Sequence, residues 1–411
     1  MSAPRAFKAA DIRALVLPLF VELSLGMLVG MVGTTLASRI SDAAGGGFAL
    51  ANHLFGLLFM IFRLVGAGVS VVITQNLGAG HRDEADRVAR AALASGTWMG
   101  GLAALLAAVG AMPLLQCLNA PPEVHVLAAP FLQALALALL LDAWNACMAA
   151  VMRAHLRNRD TLLVMVVMHL THLALAWPLM HGWGTWPGWG LPGFAVALIA
   201  SRIVGMALHL WLWRMRLGLR PVWGDWWRVR RAQLLPVLHI GLPGAAENLS
   251  WELAFMVSVA AVGVLGTQAL ATQTYVLQFN MWILISGVAI GITVEMVVGH
   301  MVGARQLRQA HDLVRKAQTI GFVVSLGAAC VQALLGPWLL GLFTRDADIL
   351  EIGSRLMWLS ILLETGRTFN LIVISALRAT GDSRYPFYAG AGSMALVLAA
   401  GSWLLGVHWG L

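Results

Sequence analysis

The chain has 411 residues, of which 59% are apolar and only 11% charged, and its formal net charge is +8. Soluble globular domains are about 25% charged, so this composition excludes a soluble domain and indicates a polytopic membrane protein. Three cysteines without metal-like or redox-like spacing, Cys117, Cys147 and Cys330, are interpreted as packing residues.

Apolar windows of about 20 residues recur along the chain, each long enough to cross a bilayer core of about 30 Å as a helix. A β-barrel would instead need short segments of alternating polarity, which the unbroken run at 102–115 contradicts. We predict eleven helices, near 12–38, 47–75, 88–114, 122–151, 161–181, 190–214, 234–262, 268–300, 314–341, 347–376 and 386–408.

The basic residues predict the topology. Of the 27 Lys and Arg, 21 fall at the N-terminus or in alternate connections between the helices, around 82–90, 153–159, 214–231, 305–316 and 378–384. By the positive-inside rule these segments and the N-terminus are cytoplasmic, with an uncleaved first span. Charge placed for topology argues against a nucleic-acid partner. Anionic lipid at 214–231 is a secondary interpretation of the same residues.

An internal repeat appears when the sequence is shifted by 225 residues, with matches over about 140 positions. The informative matches are those between polar residues and prolines, because apolar runs match by chance. They include Pro18 with Pro243, Glu22 with Glu247, Asn145 with Asn370, and Arg153 with Arg378. Six helices per repeat is an even number, so the two repeats are parallel, as in alternating-access carriers.

The repeat predicts an N-terminal lobe at 1–215, a basic cytoplasmic linker at 216–233 and a C-terminal lobe at 234–411. The second repeat is one helix short. We expect either a chain that lacks its twelfth helix or an eleven-helix protein whose C-terminus is outside.

Several motifs are similar to those of the multidrug and toxic compound extrusion (MATE) family. The run LRATGDSRYP at 377–386 resembles its L-R-[AG]-x-G-D-x-x-x-P signature after the tenth helix, and QNLGAG at 75–80 resembles its Q-x-x-G-A-G. The segments VGA at 302–304 and IGLP at 240–243 look like further family elements.

This resemblance implies a V-shaped carrier of two six-helix bundles in the bacterial cytoplasmic membrane. Such a protein is not an enzyme and has no cofactor. Its partners are membrane lipids and a small organic substrate, with no obligate protein partner evident. It would export cationic or amphipathic compounds in exchange for H+ or Na+.

The chain departs from the family pattern at two positions where many members carry an acid. Gly33 occupies the position in the first helix, and Arg367 occupies the position in the tenth, with Glu364 one turn earlier. The identity of the coupling residues therefore has to be sought among the other acids of the membrane helices.

Ionisable residues inside membrane helices are functional candidates because each costs about 2.5–3.5 kcal/mol at the helix centre. Glu252, Glu295 and Glu364 have no acidic counterpart in the first repeat, so we predict the cation-coupling site among them. Glu364 could instead form a salt bridge with Arg367 on the same helix. Glu22 and Glu247 follow equivalent prolines by four residues, and either cap backbone groups there or bind the cation.

Asp142 and Arg367 are equivalent positions in the two repeats, and either pair across the lobe interface or find partners within their own bundles. His169 and His172 share a helix face. They suit packing better than an intramembrane enzyme, which needs further histidine clusters.

Seven polar residues are predicted to line a substrate cavity, with interhelical hydrogen bonds as the alternative. They are Asn52, His53, Asn145, Gln273, Tyr275, Gln278 and Asn370. We predict an antiporter. The alternatives are a lipid-linked sugar flippase of the same superfamily, which needs a basic cavity from Arg63, Arg202 and Arg367, and the histidine-dependent enzyme.

Overall fold

A computed structural model describes residues 9–117 and 122–409. Helices account for most of these residues, and no strand occurs among them, which confirms the all-α prediction. The helices are α1 Ala9–Ser38, α2 Asp42–Gly78, α3 Arg82–Val109, α4 Ala111–Cys117, α5 Pro122–Ala154, α6 Asn158–His181, α7 Leu191–Leu212, α8 Arg231–Val264, α9 Thr267–Gly303, α10 Leu307–Leu334, α11 Gly336–Leu340, α12 Ala347–Ala379, α13 Arg384–Ser393 and α14 Gly401–Trp409. A π-helical segment, Met394–Ala400, joins α13 to α14 into one long rod.

Each of the eleven predicted helices is present, but two of them begin earlier and end sooner than the apolar pattern suggests. The predicted 88–114 is α3 followed, after Gly110, by the short α4, and the predicted 314–341 is α10 followed by the short α11. Both α3 and α10 start with charged turns, which hydropathy assigns to connections. Charged residues of good helix propensity continue a helix beyond the hydrocarbon core.

Among the described residues, ten helical segments are long and apolar enough to cross a membrane. Helix α8 is not one of them, although it is 34 residues long. It carries Glu247, Asn248 and Glu252 close together, and these polar residues lower its apolar character. The predicted span at 234–262 is therefore the one whose composition falls short of the other ten.

The repeat is visible in the backbone of the tight connections between helices. Gly80 and Arg305, which are 225 residues apart, both adopt the left-handed conformation, with φ of 81° and 58°. Leu156 and Gly381, also 225 apart, do the same at 60° and 95°. A left-handed leucine or arginine is uncommon. In each pair, a leucine or arginine at one position has the same left-handed conformation as the glycine at the equivalent position of the other repeat. The two repeats therefore share the turn geometry even where one of them lacks a glycine.

The described chain divides into two compact units, Ala9–Gly241 and the segment from Leu242 onward, with the division inside α8. In the first unit, Phe48, Phe131 and Phe194 form an aromatic group in a core built by α2, α3, α5, α6 and α7. In the second unit, α9, α10 and α12 pack together, and Met357 and Leu340 are fully buried beside Val276.

The predicted linker at 216–233 is ordered and packed on the first unit. A π-helical turn, Trp213–Leu217, leads through Gly218 to a short 3₁₀ helix, Trp223–Trp226. The Trp213 ring is fully buried and donates a hydrogen bond to the Met148 carbonyl oxygen at 3.2 Å. The Trp226 ring meets the Trp144 ring edge-on at 5.1 Å between centroids. Sequence composition alone did not indicate this tertiary packing.

Candidate coupling and substrate sites

A buried ion pair joins the first and fifth helices of the first unit. The Glu22 side chain is 6% exposed and accepts a hydrogen bond from Arg153 Nη1 at 3.0 Å. Its second oxygen accepts one from the Thr161 hydroxyl, also at 3.0 Å. The carboxylate thus has a charged and a neutral donor, which is the arrangement that makes a buried charge tolerable.

The equivalent position in the second unit holds two carboxylates. Arg378 lies 3.5 Å from Glu247 through Nη2 and 3.5 Å from Glu295 through Nη1. The Glu295 side chain is only 6% exposed. One guanidinium is therefore shared between two acids, and these three ionised groups together carry a charge of −1.

The two clusters are versions of one repeat element that differ at two positions. Ser70 occupies the place of Glu295, and Thr161 occupies the place of Pro386, which has no hydroxyl to donate. Compared with the first unit, the second unit therefore has one more carboxylate and one fewer hydroxyl hydrogen-bond donor at these positions. Charge-assisted bonds at 3.5 Å are longer than the usual 2.7–2.9 Å for such pairs, whereas the Glu22 pair is close to that range.

These contacts give Glu22 and Glu247 a role that the sequence did not suggest. Their carboxylates contact arginine side chains, Arg153 for Glu22 and Arg378 for Glu247. A signal for the pairing was available, because glutamate and arginine recur 131 residues apart in both repeats. Two polar residues that recur at one spacing indicate a shared contact, and the repeat had already matched each of them.

Glu364 and Arg367 form a salt bridge within α12, with 3.1 Å between Glu364 Oε1 and Arg367 Nη1. The glutamate side chain is fully buried, while the arginine side chain is 24% exposed. This contact is the local salt bridge that the sequence allows as one alternative for Glu364. A buried carboxylate with a partly accessible partner can still exchange that partner for another cation.

Asp142 pairs with Arg202 of α7, with 2.6 Å between Oδ1 and Nε. Asp142 and Arg367 therefore each have a partner within their own unit. These contacts correspond to the local alternative, and the pairing of Asp142 with Arg367 is not needed to neutralise either residue.

Glu252 differs from Glu247, Glu295 and Glu364, the other acids that the sequence places in membrane helices of the second unit. It is half-buried on α8 between Trp251 and Leu253, and in the described part of the chain no Lys, Arg or His lies within 4.0 Å of it. Acids in membrane helices nearly always face a bundle interior or a water-filled space. Among Glu252, Glu295 and Glu364, Glu252 is thus the acid without a described ion pair, and it is less buried than the other two.

Gly33, where the family resemblance leads one to expect an acid, lies against aromatic rings. A Cβ added there would be 3.0 Å from the Phe48 ring and 3.1 Å from the Phe194 ring. Those contacts are tighter than ordinary packing, so the aromatic core occupies the space that an aspartate side chain would need.

His169 and His172 lie inside the first unit. The His172 ring packs edge-on against Phe194 at 4.6 Å between centroids. Neither ring has a hydrogen-bond partner within the described residues, and no cluster of three or more metal-ligating side chains is found there. This geometry agrees with packing.

The predicted cavity residues fall into two groups. Asn145 is buried and joins helices, because its amide donates to the Arg202 carbonyl oxygen at 3.0 Å and its oxygen meets His209 Nδ1 at 3.0 Å. Tyr275 stacks on Phe343 at 5.2 Å between ring centroids. The remaining five are exposed or half-buried on their own units: Asn52, His53, Gln273, Gln278 and Asn370.

Two repeats of long apolar helices with charged clusters at equivalent positions are typical of a membrane transporter built from an internal repeat. The MatE family model matches residues 18–177 and 243–404, two segments that begin 225 residues apart. The chain therefore belongs to the MatE family, whose members are transporters and not enzymes.

Relatives and solved structures agree with this assignment. The chain is 27% identical over 405 residues to the uncharacterized transporter YisQ of Bacillus subtilis, covering 98% of this chain and 89% of that protein. It is 23% identical over 382 residues to the probable multidrug resistance protein NorM of Thermotoga maritima, covering 90% and 80%. The fold is similar to the bent form of the Vibrio cholerae MATE transporter VcmN, with a TM-score of 0.86, 20% identity and coverage of 98% and 90%. A MOP superfamily transporter of Pyrococcus furiosus also has a TM-score of 0.86, at 18% identity and coverage of 97% and 88%.

Proposed function

We propose that this chain is a secondary antiporter of the bacterial cytoplasmic membrane, with its N-terminus inside. It exports cationic or amphipathic organic compounds in exchange for H+ or Na+ by alternating access. Support for the substrate class comes from relatives named as multidrug resistance proteins, such as NorM and PmpM. It needs no cofactor beyond the coupling ion.

The observation that carries the coupling proposal is the surplus acid of the second unit. Glu247 and Glu295 share Arg378, whereas the first unit neutralises Glu22 with an arginine of its own. Two carboxylates close to one guanidinium repel each other when both are ionised, and a proton on one of them, or Na+ bound between their oxygens, reduces that repulsion. Emptying and refilling such a site gives the two states that an antiporter needs.

Glu252 and Glu364 are assigned complementary parts in this proposal. Glu252 is accessible and lacks a basic neighbour among the described residues, so it is the acid that meets a cation arriving from water. Glu364 is held by Arg367 and can release that arginine when a cation approaches. Asn52, His53, Gln273, Gln278 and Asn370 are the polar side chains available for contact with an organic substrate.

The flippase alternative requires uncompensated basic side chains. Two of the three arginines considered for it are neutralised, Arg202 by Asp142 and Arg367 by Glu364. The side chain of the third, Arg63, lies outside the described set. This pairing favours export of cations over handling of a pyrophosphate-linked lipid, which needs positive charge at its binding site.

The test is efflux of a cationic dye from proteoliposomes under an imposed pH gradient, and then under a Na+ gradient. Glu295→Ser installs the residue of the first repeat, and we expect at least a tenfold loss of gradient-driven efflux. Glu351→Gln is the matched control, because Glu351 is exposed and, within the described residues, its ion pair is with Arg355 of the same helix. Glu252→Gln and Glu364→Gln complete the series. Undiminished efflux in all three site variants would refute the assignment.

A further inference from the structure

The linker between α7 and α8 carries an exposed basic and aromatic surface. Four arginines, Arg214, Arg216, Arg220 and Arg228, are exposed together with the indoles of Trp223 and Trp227. Trp223 is 77% and Trp227 46% exposed, and their ring centroids are 5.8 Å apart. We refer to these six residues as the linker surface.

The linker surface is held in place by buried contacts of neighbouring residues. Asp225 is buried and accepts hydrogen bonds at 3.1 Å from the Val222 backbone N–H and from Arg230 Nη2. The Trp98 indole donates to the Trp227 carbonyl oxygen at 3.1 Å, and Gln233 donates to Glu84 at 3.1 Å. The exposed indoles are therefore fixed against α3 and cannot fold back into a core.

Most of the positive charge on this surface is uncompensated. Asp225 is used by Arg230, and Asp160 lies 4.0 Å from Arg216. Within the described parts of the chain, Arg214, Arg220 and Arg228 have no carboxylate within that distance. A fixed set of guanidinium groups beside exposed indoles matches an anionic phosphate whose attached chains are apolar.

The position of the linker selects a lipid as the source of that phosphate. It connects α7, which is apolar enough to span a membrane, to α8, which the sequence analysis predicts to be the next span, and on that prediction it lies at the membrane surface. The other connections assigned to the cytoplasmic side, 79–81, 155–157, 304–306 and 380–383, have three or four residues and no tryptophan. Tryptophan prefers the membrane interface, and the cytoplasmic leaflet attracts arginine by about 1 kcal/mol per residue.

We propose that the linker surface is a binding site for anionic phospholipid of the cytoplasmic leaflet, in which Arg220 and Arg228 contact the headgroup phosphate and Trp223 and Trp227 enter the interface. This inference does not depend on the transported substrate or on the coupling ion. It assigns the six-arginine linker a ligand in addition to its part in topology.

The experiment is native mass spectrometry of the full chain in detergent, titrated with phosphatidylglycerol and separately with phosphatidylcholine. The variant Arg220→Gln/Arg228→Gln should bind phosphatidylglycerol about 30-fold more weakly, which corresponds to about 1 kcal/mol for each arginine. Its binding of phosphatidylcholine should be unchanged. Trp223→Ala/Trp227→Ala should weaken retention of both lipids, because the indole contact is with the apolar part.

The matched control is Arg305→Gln/Arg308→Gln, which removes two exposed arginines, one in the connection 304–306 and one in the first turn of α10, on the same predicted side. It should retain phosphatidylglycerol like the parent chain. Equal weakening in the control would mean diffuse attraction and would overturn the proposal, as would unchanged binding in the linker variant. Thermal melting shows whether each variant is folded, since Trp213, Asp225 and Trp226 are left intact. Dye efflux is measured separately, so that a failure of the lipid site and a failure of transport can be told apart.

Discussion

The ion pair between Glu22 and Arg153 makes a quantitative prediction about the stability of the first unit. In Arg153→Gln the Glu22 carboxylate keeps only the Thr161 hydroxyl as a described hydrogen-bond donor. Removing one partner of a fully buried ion pair costs about 3–5 kcal/mol. Because the Arg153 side chain is 21% exposed, water relieves part of this cost. We therefore expect a loss of about 2–3 kcal/mol.

The double variant Glu22→Gln/Arg153→Gln should be more stable than Arg153→Gln alone, because it contains no unpaired charge. Unfolding by SDS in mixed micelles gives the free energy of unfolding of the parent chain, the two single variants and the double variant. From these four values we expect a coupling energy of about 1.5–2.5 kcal/mol between Glu22 and Arg153. Additive losses, with a coupling energy below about 0.5 kcal/mol, would refute the view that this pair is a buried clamp.

The same cycle in the second unit provides an internal comparison. Arg378→Gln leaves two carboxylates, Glu247 and Glu295, facing each other without their shared cation. The loss should exceed that of Arg153→Gln, and Glu295→Ser added to Arg378→Gln should recover the difference. If the two units respond equally, Glu295 does not add charge to the cluster.

Three further predictions concern packing, the polar core and pH. Gly205→Ala should destabilise the chain by about 1–3 kcal/mol, because the added Cβ would overlap the buried Met168 side chain. Gly263→Ala is the control, since a Cβ at this position has no atom within 4 Å, and thermal melts should show it to be neutral or stabilising. Asn280→Leu should lower the free energy of unfolding by about 1–3 kcal/mol, because Gln332 loses its hydrogen-bond acceptor at 2.6 Å and Ser360 loses its donor at 3.1 Å. Adding Ser360→Ala should partly restore the melting temperature. Burial lowers the pKa of His155 in the turn after α5, so the unfolded chain takes up its proton first and stability should fall as pH decreases below about 6.5. His155→Gln should flatten this slope in SDS titrations at pH 5 to 8, and an unchanged slope would contradict the reasoning.

The helices and the repeat could be predicted from the sequence because they depend on local composition and on spacing. Apolar windows located α1 to α14 as eleven spans, and the offset of 225 residues reappears in the left-handed positions of the connections, such as Gly80 and Arg305. Helix ends were less accurate at α3 and α10, since charged turns look like connections when hydropathy is the only guide. Family motifs such as LRATGDSRYP supplied the transporter assignment.

The partners of the membrane acids could not be read from composition. Asp142 of α5 pairs with Arg202 of α7. Whether Asp142 meets Arg202 or Arg367 depends on how each helix is rotated about its axis, and the apolar pattern of the sequence does not determine that rotation. The ordered linker was missed for the same reason, because Trp213 is buried and Trp226 partly buried by residues distant in sequence. Interfacial anchoring accounts for the exposed Trp223 and Trp227 but not for these two.

The repeat offers a way to separate architecture from coupling in this chain. A contact kept at equivalent positions, such as Glu22 with Arg153 and Glu247 with Arg378, is explained by the shared fold of the two units. A charged residue present in only one unit is not explained by the shared fold. Because such a residue is costly in a membrane helix, it is a candidate for a functional role. Glu252, Glu295 and Glu364 satisfy this criterion, and Glu295 does so at a position where the other unit shows what the fold alone requires, a serine. Exchanging that one residue therefore tests coupling with the least disturbance to the helices around it.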